Sequence, residues 1–109
     1  MNKETDKTKA PPLDKRLKGI NELPLEFRKK LKEAQIHCVL RYVASGQREK
    51  LKAVYQWRVK KAQFNVTTAQ IAKAIGRPDT RVSEYLNFRH EPQNPEFRKI
   101  EMLLFRLCR

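Results

Sequence analysis

Long apolar runs are missing from this 109-residue chain. Nothing in it approaches the ~20 residues that a membrane-spanning helix needs. The first twenty positions, MNKETDKTKAPPLDKRLKGI, hold no apolar segment of secretory type. Position 2 is Asn2 and the C-terminal LLFRLCR is no prenylation box, so no lipid anchor is expected. These absences predict a cytoplasmic protein without a membrane partner. Cysteine is scarce as well. Cys38 and Cys108 allow no disulfide framework and suit a reducing compartment. No CxxC or HxxxH spacing occurs, and the adjacent His37 and Cys38 diverge by about 100° on a helix. No metal site is therefore expected. Glycine appears only at positions 19, 46 and 76, too scattered for a phosphate-cradling loop. Acidic residues are few and mostly interleaved with Lys or Arg, which leaves no carboxylate pair for acid–base chemistry. The expectation is a protein that is not an enzyme, with no cofactor and no small-molecule substrate. No stretch alternates apolar and polar residues with period two, so strands are not expected either.

Positive charge is what the chain has in excess. Lys and Arg number 25 against 12 Asp and Glu, a formal net charge of +13. With a membrane surface disfavoured, a polyanion is the natural partner for that excess.

Three regions follow from the pattern. Residues 1–22 carry Pro11, Pro12 and mixed charge with few large apolar residues, which predicts a disordered basic tail. It is either a solvated leader or an arm that tracks DNA phosphates. Residues 23–46 read as one N-terminal helix, with Pro24 at its start and Gly46 at its stop. Its apolar positions Phe27, Leu31, Ala34, Cys38 and Tyr42 are flanked by Ile36, Val39, Leu40 and Val43. That stripe is wider than one packing face needs, so the helix either docks on its own domain or forms a homodimer. Residues 47–109 form the main domain. Leu51, Val54, Tyr55, Val59 and Ala62 predict one helical stripe, with Trp57 off its line. Asn94 as N-cap, Pro95 and Glu96 open a last helix whose buried face is Phe97, Ile100, Leu103, Leu104 and Leu107. The predicted fold is all-α, with about five helices.

Between those helices lies TTAQIAKAIGRPDTRVSEYLN, residues 67–87. Thr67 and Gln70 have capping-box spacing, so a helix starts near Thr68. Ile71, Ala72 and Ile75 face the core. Gly76 accepts the positive φ that ends the helix. Pro78 pushes Arg77 out of the α region, and Asp79 is placed to cap a second helix. That helix buries Val82, Tyr85 and Leu86. At 100° per residue, Thr80, Glu84 and Asn87 then face outward, flanked by Arg81 and Ser83. Two short helices at a tight turn, with a small Ala72 between them, make a helix-turn-helix.

Residues 49–107 resemble the lambda-repressor-like (Xre-type) helix-turn-helix family. The resemblance rests on Ala72, Gly76 and Val82 at the family's spacing, with Ile71, Ile75, Tyr85 and Leu86 in support. The helices at 49–64 and 95–107 fit its order. The chain departs from the family's pattern at Thr68, Arg77, Pro78 and Asp79. The resemblance implies a sequence-specific double-stranded DNA-binding protein, a repressor-like transcriptional regulator of a phage, plasmid or other mobile element. Such a protein would be nucleoid-associated when bound and commonly dimeric. Thr80, Ser83, Glu84 and Asn87 would then read base edges. Thr68, Gln70, Arg77, Arg81, Arg89 and His90 would contact phosphates. Two other readings use the same fold. A protein–protein adaptor would present aromatics on the outward face, where only Phe88 qualifies. An RNA-binding protein would need stacking aromatics, and here these sit in the apolar stripes.

Overall fold

The computed structural model describes residues 16–108. Among them the chain is all-α, with six helices and no strand. They are α1 (Leu25–Lys29), α2 (Glu33–Ala44), α3 (Arg48–Gln63), α4 (Thr68–Ile75), α5 (Asp79–Leu86) and α6 (Asn94–Leu107). No helix among the described residues is long and apolar enough to cross a membrane.

The N-terminal helix expected over 23–46 is two helices. Pro24 supplies the extended N-cap residue of α1 (φ −60°, ψ 150°), which lasts barely more than a turn. Four cations crowd the stretch Arg28, Lys29, Lys30 and Lys32, and continuing the helix would stack their like charges. The break instead turns Leu31 into the core, where it is buried. It also opens the N-terminus of α2, where the Lys32 backbone N–H donates to Gln35 Oε1 at 2.7 Å. The wide stripe of α2 is used within the chain itself: Ile36, Cys38, Val39 and Tyr42 are all buried in the common core.

The tail expected over 1–22 is corrected at its C-terminal end. Leu17, Ile20 and Leu23 are buried in that same core. Polar ties hold the segment down. Arg16 makes a two-pronged bond to Glu33 at 2.6 and 2.8 Å, and Arg28 donates to the Leu17 carbonyl at 3.1 Å. Arg48 reaches both Glu22 and the Gly19 carbonyl. Three apolar residues spaced three apart carry too little pattern to stand out among the charges, yet they suffice to dock a short segment. Positions 1–15 lie outside the described residues.

Helix α3 is central and packs against α2, α5 and α6. Its buried line is Leu51, Val54 and Trp57 rather than the expected line through Val59, which is 40% exposed. The Trp57 ring meets Phe97 of α6 at 4.8 Å, and that contact carries the seam forward by three-residue steps. On α6, Ile100 and Leu104 are buried, whereas Leu107 at the open end is exposed. The helix starts one residue earlier than expected, with Gln93 as N-cap and Asn94 as its first residue. Its start is fixed by Pro95 in the first turn. Helices α4 and α5 pack on each other, α4 also on α6 and α5 also on α3.

Candidate nucleic-acid interface

Helix α4 begins as its sequence dictates. The Gln70 N–H donates to Thr67 Oγ1 at 3.1 Å, and the Thr67 N–H donates back to Gln70 Oε1 at 2.7 Å. This closes the capping box. Gly76 ends the helix in the left-handed region (φ 71°, ψ 35°), where any Cβ would add strain. The Arg77 N–H returns to the Ala72 carbonyl at 3.0 Å. Pro78 is then the extended N-cap residue of α5 (φ −64°, ψ 153°). Asp79, expected as the cap, is instead the first helical residue and makes no side-chain cap bond. A carboxylate there still faces the positive end of the helix dipole.

The far end of α5 is closed less usually. Phe88 stands in the left-handed region (φ 56°), and the Arg89 N–H donates to the Glu84 carbonyl at 2.8 Å. A bulky residue at positive φ is strained. The gain is burial: Phe88 is fully enclosed, with edge contacts to Phe27 at 5.6 Å and Tyr42 at 6.5 Å. The expectation of an exposed Phe88 is therefore overturned. The left-handed turn swings its ring from the outward face into the core.

The carbonyls at this end of α5 receive donors from two other helices. Arg58 of α3 donates to the Leu86 carbonyl at 2.8 Å, and Gln35 of α2 donates to the Asn87 carbonyl at 2.8 Å. Arg58 also lies over the Phe27 ring at 4.8 Å. Burial pushes its guanidinium below the ordinary arginine pKa. A cation at a helix C-terminus opposes the dipole and fixes the end in place.

The ten residues singled out from the sequence divide into three groups. Thr80 is exposed, and Ser83 and Glu84 are half-exposed on the same side of α5. Arg89 and His90 are exposed just beyond the helix. His90 packs on the Tyr85 ring at 6.0 Å, with Nδ1 3.2 Å from the Glu91 carbonyl. Thr68 opens α4, half-buried, and shares a cleft of about 340 Å³ with Ser83 and Asn87. The other four are held by contacts within the fold, two of them to Ser83 and Glu84 themselves. Gln70 is the capping-box residue. Arg81 faces Glu84 at 3.7 Å, an exposed pair of little energetic weight. Arg77 is paired with Glu96 at the start of α6. Asn87 is half-buried: Nδ2 donates to the Ser83 carbonyl at 2.9 Å and to Ser83 Oγ at 3.1 Å, and Oδ1 accepts from Arg58 at 3.0 Å. Its amide closes the helix end instead of facing outward.

Two cations missed by the sequence reading, Arg58 and Lys61, line the same cleft. Both sit on the polar side of α3, one helical turn apart. The signal was present in RVKK, but only the packing of α3 beneath α5 gives it meaning. Glu96 is the corresponding acidic anchor. Burial alone would raise its pKa, yet the bond from Tyr85 at 2.6 Å and the Arg77 charge outweigh this and hold the carboxyl below its ordinary range. The Tyr85 hydroxyl is pushed up to about 12 by burial and by that same carboxylate.

No family model, curated protein or solved structure matches this chain.

Proposed function

We propose that this chain is a sequence-specific double-stranded DNA-binding protein of the lambda-repressor-like helix-turn-helix type. In this reading α5 enters the major groove, and the regulatory setting is that of a repressor in the cytoplasm or on the nucleoid. The outward side of α5 carries the proposal. Thr80, Ser83 and Glu84 leave hydrogen-bonding groups at the surface of a short helix anchored at both ends. The α4–α5 turn is held by Gly76, the Arg77–Glu96 pair and the Tyr85–Glu96 bond. Such anchoring favours readout, because base contacts need a rigid donor geometry. Thr80 and Ser83 suit several base edges, and Glu84 suits cytosine N4. Lys61, Arg89 and His90 would border the groove as phosphate contacts, and Thr68 would meet phosphate at the N-terminus of α4. Asn87 leaves the base-reading set and becomes a positioning residue. The burial of Phe88 removes the one aromatic that favoured an adaptor on this face.

Fluorescence anisotropy with duplex DNA over a salt series tests this. The expected outcome is a log K that falls linearly with log salt, with Arg89→Ala reducing the slope by about one unit. Ser83→Ala should relax sequence preference at one base pair by about 1–3 kcal/mol. Binding that is absent at low salt, or indifferent to salt, would remove the proposal.

A further inference from the structure

Positive charge gathers a second time outside α4 and α5, at the corner where α1 gives way to α2. Lys29, Lys30 and Lys32 are exposed there and make no ion pair among the described residues. The acids of the two helices do not neutralise them. Glu33 is taken by Arg16 at 2.6 Å and by His37 at 3.3 Å, and Glu26 makes no ion pair among the described residues. Leu31 is buried in the core between these lysines. The backbone of the corner is therefore fixed, and three like charges radiate from one place.

Two contacts, one on either side of the lysines, set where that place is. Before them, the Phe27 ring meets the Phe88 ring at 5.6 Å, and the Lys30 N–H donates to the Phe27 carbonyl at 3.1 Å. After them, the Lys32 N–H donates to Gln35 Oε1 at 2.7 Å, while Gln35 Nε2 donates to the Asn87 carbonyl at 2.8 Å. The corner is thus tied to residues 87 and 88, directly before the exposed Arg89. We propose that Lys29, Lys30 and Lys32 form an accessory phosphate clamp, which grips the duplex backbone beside the groove that α5 enters, at the C-terminal end of that helix.

The clamp depends on α5 lying in a duplex groove, as proposed above, and adds a second contact region for the same partner. A helix in the major groove leaves it at the phosphate rails. The lysine corner stands next to that exit, so a duplex seated on α5 meets it without rearrangement of the chain. Lysine also suits the task. Its ammonium is a point charge on a flexible stem, which binds phosphate oxygens and reads no base. Residues 29–32 lie outside the stretch 49–107 that resembles the helix-turn-helix family, so this contact belongs to the N-terminal segment of this chain.

Duplex binding over a salt series, measured on two triple variants of the full chain, tests the clamp. Lys29→Ala, Lys30→Ala and Lys32→Ala combined should weaken binding alike on all sequences. They should reduce the slope of log K against log salt by about 2–3 units, at ~0.9 per phosphate contact. Replacing the same three lysines by arginine should keep the slope of the parent. Lys52→Ala, Arg98→Ala and Arg106→Ala combined remove the same formal charge from the grooves between α3 and α6. That variant should leave the slope unchanged. All variants should retain the far-ultraviolet circular dichroism spectrum of the parent, since the substituted side chains are exposed. An unchanged slope in the lysine-to-alanine variant overturns the clamp, as does an equal reduction in both alanine variants. Either result leaves the α5 reading in place if Arg89→Ala still lowers the slope. A chain that binds no duplex at low salt removes both.

Discussion

At the scale of single residues, two side chains change role between sequence and structure. Phe88 follows the last apolar position of α5, so helical periodicity places it near the surface. Its positive φ reverses that direction and buries the ring. Phe88→Ala should therefore cost about 3–5 kcal/mol in chemical denaturation, the range for a buried phenylalanine. A cost under about 1 kcal/mol would mean the ring is not packed as described. Asn87 shows the converse. A polar residue on the outward arc of a helix reads as a contact group, but its amide is held by Ser83 and Arg58. Asn87→Ala should destabilise the fold by ~1–3 kcal/mol, leaving Arg58 with fewer acceptors. Its effect on DNA affinity should be similar across sequences. Loss at one base pair alone would return Asn87 to the readers. Period alone cannot distinguish these cases, because both depend on how the chain leaves α5.

Among elements, the start and stop of α4 and the turn into α5 were legible, while the cap of α5, its exit at Phe88 and the anchoring of both helices were not. Thr67, Gln70, Gly76 and Pro78 act within a few residues of themselves, so local sequence specifies them. The anchors come from residues far along the chain. Gln35 uses both ends of one amide: Oε1 accepts from the start of α2 and Nε2 donates to the end of α5. Glu96 ties the α4–α5 turn to α6 through Arg77 and Tyr85. Because the Glu96 carboxyl is held below its ordinary pKa in the fold, it contributes stability above the unfolded carboxylate value of about 4.3. That contribution should be lost as pH falls through the lowered folded value. Glu33, held down to about 2 by the Arg16 bond, loses its own contribution over the same acid range. Urea denaturation of Glu96→Gln from pH 7 to pH 3 should show a shallower decline than the parent protein, with lower stability at neutrality. Parallel curves would mean that Glu96 is not charged in the fold.

Over the whole molecule, the N-terminal segment is structural from residue 16 onward. Leu17, Ile20 and Leu23 share one core with Val54, Ile71, Val82 and Ile100. Leu17→Ala should lower stability by about 2–5 kcal/mol, with a single cooperative transition retained. No change in the denaturation midpoint would restore the view of that residue as part of a solvated tail. Residue order alone is enough for the all-α class, the α4–turn–α5 corner and the net positive charge. Helical period, caps, the turn glycine and formal charge are local or additive properties. Which polar side chains are engaged within the fold was set by its three-dimensional packing. It joined Arg58, Gln35 and Ser83 around the end of α5, turned Phe88 inward, and left Met102 and Phe105 uncovered. These outcomes depend on packing between distant segments, and a side chain's partners are chosen only when those segments meet.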